Sequence, residues 1–345
     1  MATFDSAPTV DATRAGLVAV ALALAFIGSP LVVRPPMVTL VFFEVGILFL
    51  LYALVLVGVN LQFGHAGLVN FGPVAFFAVG GYATAMLAAQ DPYAGIGLGL
   101  PWPVALAAGV LGAVVLGLVL GATTLRLRDD FLAIVTLAVA EIIHGLLNSF
   151  QSVTGGGLGL GDIPRPIAAM TLDGGPYLFA TAFLFGACLL LAYGVVHRLV
   201  ASPYGRVLHA IRADERVTES LGKYVFRYKV VVFVYGAALA GFAGGLLALY
   251  FGAVSPSFFT INVTVLVWVG MLLGGAGSDR GVVAGLALLM SFQLATRFLN
   301  EQFPGITGAQ FGSLRLVFVG LLLILVIRYR PEGLWGNPKE RGVDR

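Results

Sequence analysis

The chain has 345 residues, of which 59% are hydrophobic and only 11% are charged, and its formal net charge is +3. A soluble domain carries about 25% charged residues, so this composition excludes an ordinary soluble protein and indicates one embedded in a lipid bilayer. The small net charge leaves no basic face for phosphates, and we therefore expect no nucleic-acid partner.

Long apolar runs define the predicted elements, since a helix needs about 20 apolar residues to cross the hydrocarbon layer. Such runs lie near residues 16–33, 38–59, 67–89, 103–124, 131–150, 177–198, 229–251, 258–275, 281–299 and 312–328. The first follows Asp5 and Asp11 instead of a basic region, so we interpret it as a span and not as a signal peptide. The third and eighth are rich in glycine, which is typical also of broken or re-entrant segments. The sequence therefore predicts an all-α integral membrane protein with about ten spans, in which residues 1–345 form a single transmembrane domain.

Basic residues indicate the orientation of these spans, because they concentrate in short loops on the cytoplasmic side. The two densest groups of them lie in residues 199–228, hereafter the charged loop, and in the C-terminal tail 330–345. The segments expected in the cytoplasm are these two, the N-terminal tail 1–15, and the turns at Arg126 and Asp279. The loop 151–176, whose single basic residue is Arg165, is expected outside.

The charged loop is the densest charged stretch of the chain and is far longer than the four to six residues that commonly join two helices. Ser202-Pro203 and Asp214 are helix-start signals, and Gly222 suits the left-handed residue that follows a helix end. The loop is therefore predicted to form two short helices with a sharp turn between them. We interpret it as a docking surface for a soluble partner; the alternative is a helix lying among lipid headgroups.

Motifs for chemistry are missing from the sequence. It has no phosphate-binding loop, no zinc-protease motif and no nucleophile elbow. Cys188 is the single cysteine, and the four histidines show no metal-ligand spacing. We expect no enzymatic activity, no metal and no cofactor bound by this chain. If transport uses ATP, separate partner subunits must hydrolyse it.

Polar residues inside predicted spans are costly in lipid and often functional. Glu141 and His144 lie three residues apart in the fifth span and share a helix face, and Glu44 lies in the second. Glu141 either faces a substrate path or makes an interhelical hydrogen bond; for the other two the structural role is favoured. A second group near the start of the third span comprises Asn60, Gln62, His65 and Asn70.

Six stretches resemble a known family, in the family's own order. They are "GHAGLVNFGPVAFFAVGGYATAML", "LRLRDDFLAIVTLAVAEI", "TGGGLGLGDIP", "HAIRADERVTESLGKYVFRYKVVVFVYGAALAGFAGGLLA", "GGAGSDRGVVAGLALL" and "RYRPEGLWG". The chain resembles the permease subunits of branched-chain amino-acid ABC importers, above all the M-type subunit, and urea and amide permeases are related. The resemblance implies a fold like that of the ten-span type II importer permeases.

The resemblance also implies partners and a place for them. These are a second permease subunit, like or unlike this chain, two cytoplasmic ATP-binding subunits, and an extracytoplasmic substrate-binding protein, all at the cell membrane of a prokaryote with both termini of this chain in the cytoplasm. The charged loop would be the coupling loop on which an ATPase docks. By resemblance, the docking residues are Arg212, Asp214, Glu215, Thr218, Glu219, Leu221 and Gly222.

The substrate path is expected at polar and glycine positions of the matching stretches. The candidate path residues are Asn70, Gly72, Glu141, Thr154, Gly155 and Gly156. The family often has Ser-Leu-Gly-His where this chain has residues 70–73 as Asn-Phe-Gly-Pro, and this departure leaves the substrate open. Branched-chain amino acids come first and urea or short amides second. An ion-coupled secondary carrier and a scaffold or channel without an ATPase are the rival classes.

Overall fold

A computed structural model of the chain describes residues 36–90, 95–127, 129–167, 175–299, 308–330 and 332–335. The predicted N-terminal tail, the first predicted span and most of the C-terminal tail lie outside the described residues. Within them the regular elements are helices, and the only strand-like pairing is one antiparallel bridge between Leu160 and Val254. This confirms the all-α class for the described part of the chain.

Twelve α-helices follow one another along the described residues. They are α1 (Pro36–Val59), α2 (Pro73–Ala88), α3 (Trp102–Thr124), α4 (Asp129–Ser149), α5 (Gln151–Thr154), α6 (Gly175–Ala201), α7 (Pro203–Ala213), α8 (Glu215–Ser220), α9 (Val225–Phe251), α10 (Ile261–Gly274), α11 (Asp279–Leu299) and α12 (Gly308–Tyr329). A π-helical segment, Asn60–His65, continues α1, and 3₁₀ turns form at Gly156–Leu158 and Pro256–Phe258.

Each predicted span after the first overlaps one of these helices. Six helical segments among the described residues are long and apolar enough to cross a membrane by length and composition, including Val41–His65 and Val225–Phe251. Among the helices that overlap predicted spans, the two shortest are α2 with 16 residues and α10 with 14. They correspond to the third and eighth predicted spans. Residues 67–72, predicted within the third span, are not helical.

The described parts of the segments that were predicted to be cytoplasmic lie at one end of the helix bundle. The guanidinium of Arg126 stacks over the Phe226 ring at 5.2 Å, at the start of α9. The C-terminal segment joins the same end, because the Leu334 N–H donates to the Leu273 carbonyl at 2.9 Å. Arg165 lies at the opposite end, where it donates to the Phe251 carbonyl at 2.7 Å. The 27 residues of α9 separate these ends by about 40 Å.

Helices α2, α3 and α9 pack through small residues. A Cβ on Gly80 would fall on the backbone of Gly241, and one on Gly244 would fall on the Phe77 carbonyl. A Cβ on Gly245 would lie 2.7 Å from the Thr84 hydroxyl oxygen. The backbones therefore approach more closely than larger side chains allow, as the small-residue spacing of Gly241 and Gly245 predicts.

Replacing Gly244 with valine should destabilise the bundle, because the new side chain must displace the Phe77 carbonyl and the nearby α2 backbone. Overpacking of this kind costs about 1–3 kcal/mol. A lower midpoint of thermal unfolding in detergent would show it. Gly186→Val is the matched control, since a Cβ there meets nothing within 4 Å. Equal midpoints for the two variants would contradict the packing.

Candidate functional site

The charged loop folds as the two short helices that the sequence predicts. The Ser202 hydroxyl caps α7 by accepting from the Tyr204 N–H at 3.1 Å. The Asp214 carboxylate caps α8 by accepting from the N–H groups of Arg216 and Val217 at 2.8 and 3.1 Å. Gly222 follows α8 with a φ of +76°, the left-handed conformation expected there. Helices α6 and α9 extend further than predicted, so the segment between them is 202–224 instead of 199–228.

An apolar patch lies on the outward face of α8 and the turn after it. The patch consists of Val217, Leu221 and Tyr224, which are 56%, 73% and 74% exposed. Glu219 and Lys223 are exposed beside it. Large apolar side chains rimmed by charges are typical of a protein-binding surface. Hereafter these three residues are called the loop patch.

The predicted docking residues divide between the two faces of the loop. Glu219, Leu221 and Gly222 are exposed on the side of the loop patch. The others face inward or support the helix: Arg212 donates to the Gly64 carbonyl, Glu215 pairs with the buried Lys229 of α9, and the Thr218 hydroxyl donates to the Asp214 carbonyl. Sequence reasoning left out Tyr224, whose signal is its place three residues after Leu221.

A second contact ties the beginning of the loop to α9. The Tyr204 hydroxyl donates to the Tyr228 carbonyl at 3.2 Å, and the two rings lie 4.7 Å apart. Burial raises the pKa of the Tyr204 hydroxyl to about 12. The hydroxyl therefore keeps its proton at neutral pH and remains a hydrogen-bond donor.

A polar cluster, with Asn60 and His65 buried and His197 exposed, lies where the π-helical segment meets the turn before α11. The Asp279 carboxylate accepts from the Asn60 amide at 3.1 Å and contacts Nε2 of His65 at 2.8 Å through the same oxygen. Its other oxygen lies 3.4 Å from Nδ1 of His197, at the end of α6. The side-chain oxygen Oδ1 of Asn60 accepts from the Gly277 N–H at 2.9 Å. We call Asn60, His65, His197 and Asp279 the Asp279 junction.

The junction holds Asp279 in its charged form. Burial acts to raise the pKa of this carboxyl, but the hydrogen bonds and charges of His65 and His197 outweigh burial and lower the pKa below its ordinary value. The carboxylate therefore remains ionised at neutral pH, although its side chain is only 14% exposed.

The polar residues predicted near the third span divide into two groups, since Gln62 and Asn70 do not join the junction. The Asn70 amide donates to the Gln62 side-chain oxygen at 2.9 Å, and its own oxygen accepts from the Gly72 N–H at 2.8 Å. A Cβ on Gly72 would lie 2.5 Å from the Thr136 carbonyl of α4. Asn70 is buried, so its side chain braces the segment before α2 against its neighbours.

The candidate path residues at the other end of α4 form a tight turn. The Thr154 hydroxyl lies 2.7 Å from the carbonyls of Leu147 and Phe150, to which it donates. Gly155 and Gly156 follow with φ values of +73° and +57°, which favour glycine. This turn lies far from Asn70, at the end of the bundle opposite the charged loop.

Glu141 lies between these two regions and is exposed. It occupies the middle of the apolar segment Phe131–Ser149, and Ala138, Gly145 and Asn148 are exposed on the same helix face. A carboxylate at that depth is costly against lipid, but Ile134 and Leu137 are also exposed on this face, which therefore combines polar and apolar surface. His144 contacts the Phe259 carbonyl at 3.1 Å, the structural role that was favoured for it. Glu44 is exposed near the beginning of its own span.

Among the described residues, no three His, Cys, Asp or Glu side chains come together in a way that could hold a metal ion. A family model described as the permease component of the branched-chain amino acid transport system matches residues 41–327. The chain belongs to this permease family. The resemblance noted in the sequence is thereby confirmed.

Curated relatives align with most of the permease. It is 33% identical over 312 residues to the high-affinity branched-chain amino acid transport permease LivM of Salmonella typhimurium. The alignment covers 84% of the permease and 69% of the relative. It is 27% identical over 320 residues to the probable LivM of Methanocaldococcus jannaschii, with coverages of 82% and 90%. It is 25% identical over 309 residues to LivH of Escherichia coli, with coverages of 85% and 93%. No solved structure matches the permease.

Family membership defines the permease as a multi-pass membrane subunit of an ABC importer. The permease serves transport in such an importer. Membership of this family implies ATPase and binding-protein partners.

Proposed function

We propose that this permease imports branched-chain amino acids as one of two membrane subunits of an ABC importer, driven by two separate ATPase subunits. The observation that carries the proposal is the loop patch, an apolar surface exposed on a charged loop. A loop that only joined α6 to α9 would have no reason to present it. The substrate class is supported by the relatives LivM and LivH, which are permeases for branched-chain amino acids.

The proposed orientation is supported by the position of the basic segments. The charged loop, Arg126 and the C-terminal segment share one end of the bundle, and we propose that this end and both termini face the cytoplasm of a prokaryotic cell. The opposite end, with Thr154–Gly156, would then meet the extracytoplasmic substrate-binding protein. The permease itself would bind no cofactor, since ATP is used by its partners.

The path is proposed along the exposed face of α4. Glu141 and its small neighbours Ala138 and Gly145 would face a second permease subunit, with the substrate passing between the two. Higher identity to LivM than to LivH supports an unlike pair in which this chain has the M-type part. Thr154–Gly156 would line the outer mouth of the path, and Asn70 and Gly72 would support its inner wall.

Transport would proceed by alternating access. Closure of the ATPases moves the docked loops, and the paired permeases change the side to which the path opens. A substrate shifts this equilibrium only through different affinities for the two states. Most of the specificity would then belong to the binding protein.

Purification together with its candidate ATPase subunits tests the proposal. We expect the ATPases to co-purify, and proteoliposomes of the complex to take up radiolabelled leucine only when ATP and the binding protein are supplied. Unlabelled isoleucine and valine should compete, whereas competition by urea or acetamide would move the substrate class to short amides. Leucine uptake by the permease alone, driven by a proton or sodium gradient, would contradict the proposal in favour of a secondary carrier.

A further inference from the structure

The Asp279 junction joins three helices at the end of the bundle that carries the charged loop. Its members come from the π-helical end of α1, from the end of α6 and from the beginning of α11. His65 is almost completely buried, and its Nε2 lies 2.8 Å from the Asp279 carboxylate. Because a buried carboxylate is costly without partners, movement of any one of these helices strains the other two.

The charged loop touches this junction directly. The ring of His209, in α7, meets the His65 ring edge-on at a centroid distance of 5.4 Å. One turn further along α7, Arg212 donates to the Gly64 carbonyl, within the π-helical segment. Gly67, with a φ of +75°, leaves the Arg212 side chain room to reach this carbonyl. A displacement of α7 is therefore felt first by the residues next to the junction.

The π-helical segment carries this contact on into the core. The Gln62 amide donates to the Phe233 carbonyl of α9 at 2.9 Å, and Asn70 donates to Gln62. Trp268 of α10 in turn donates to the Asn70 carbonyl at 2.9 Å. A π-helical turn departs from regular α geometry, and such turns are frequent at functional sites. The π-helical segment thus contacts the charged loop on one side and, directly or through Asn70, the helices α9 and α10 on the other.

We propose that Asp279 is a positioning residue for coupled transport, whose carboxylate makes α11 follow the π-helical segment when an ATPase moves the charged loop that contacts this segment. The inference rests on the proposed ATPase docking. Contiguous contacts alone do not establish coupling, which must be measured as a free energy shared between two positions. The decisive quantity is therefore leucine taken up for each ATP hydrolysed, because a purely structural loss lowers both activities together.

Asp279→Asn in the purified complex is the main test. Asparagine keeps the size of the side chain and one acceptor oxygen but removes the charge that His65 and His197 face. We expect ATPase co-purification and ATP hydrolysis to stay within about 2-fold of wild type, while leucine uptake per ATP falls about 10-fold, the scale of an ordinary coupling free energy. Asp279→Glu, which keeps the carboxylate, should recover part of the loss.

His65→Gln provides a second route that leaves the carboxylate in place. It should also lower leucine uptake per ATP. The double variant, His65→Gln with Asp279→Asn, should be no worse than Asp279→Asn alone, because both changes break the same contact. The matched control is Glu44→Gln, which removes an exposed carboxylate at the other end of the segment Val41–His65. It should leave the ratio unchanged.

Two results would overturn the inference. One is an unchanged uptake per ATP, whether both activities stay normal or fall in proportion. The other is loss of ATPase co-purification, which would make Asp279 a support of the docking surface. Failure of the proposed function is distinguished by the wild-type complex, which would then show no ATP-dependent leucine uptake. If the wild-type complex shows ATP-dependent leucine uptake and Asp279→Asn has a normal uptake per ATP, only the role assigned to Asp279 is contradicted.

Discussion

Replacing Leu221 and Tyr224 together with serine should abolish co-purification of the ATPase subunits and ATP-dependent leucine uptake. Both side chains are about three-quarters exposed, so the folded permease loses little when they are removed. At a protein interface such exposed apolar anchors become buried, and each commonly contributes about 2 kcal/mol or more. Two of them correspond to an affinity loss of roughly 1,000-fold, which a pull-down detects.

Tyr329→Ser is the control for this experiment, because Tyr329 is 75% exposed but lies at the end of α12, outside the loop. The double serine variant should keep the wild-type midpoint of thermal unfolding, since neither side chain supports the core. Normal co-purification of the double variant would contradict docking at the loop patch. It would favour the alternative in which this surface lies among lipid headgroups, and binding of the permease loop to anionic vesicles would then depend on the same residues.

Glu141→Leu should separate a path-facing carboxylate from a lipid-facing one. If α4 faces the path, leucine introduces an apolar side chain into a watery passage, and we expect leucine uptake to fall at least about 10-fold with ATPase co-purification unchanged. A carboxylate facing lipid costs about 2.5–3.5 kcal/mol at the bilayer centre. In that case Glu141→Leu would raise the midpoint of thermal unfolding and leave uptake unchanged.

Glu44→Leu is the matched control, because Glu44 is also exposed but lies at the beginning of the segment Val41–His65. There the carboxylate reaches the interface, so its replacement should affect uptake and unfolding only slightly. Glu141→Gln adds a further distinction: full uptake by this variant would show that the path requires polarity at this position and not charge.

Local signals predicted the charged loop well. The caps at Ser202 and Asp214 and the left-handed Gly222 depend on contacts between residues that are close in sequence, so local patterns predict them. The helix pattern of the bundle likewise follows from apolar runs. Boundaries shifted by several residues at both ends of the loop, because spanning helices continue past the point where apolar residues stop.

Distant pairings were beyond the reach of sequence patterns. Asn60 and His65 meet Asp279 across 219 and 214 residues, and no periodicity connects them. The same limit applies to the bonds of Arg212 to Gly64 and of Glu215 to Lys229, which the sequence of the loop does not reveal. Which face of a short helix is outward depends on the helices beneath it, and the sequence of the loop does not contain that information.

The anchoring of the charged loop has a consequence for how such importers diversify. Tyr204, Glu215 and Arg212 fasten the loop to α9 and to the π-helical segment, while the loop patch takes no part in this fastening. Outward positions are therefore open to substitution without loss of fold, and under the proposed docking a gene duplicate could change its ATPase partner by changing them alone. The inward positions hold the loop on the bundle, so any loop grafted from another permease would have to keep these residues.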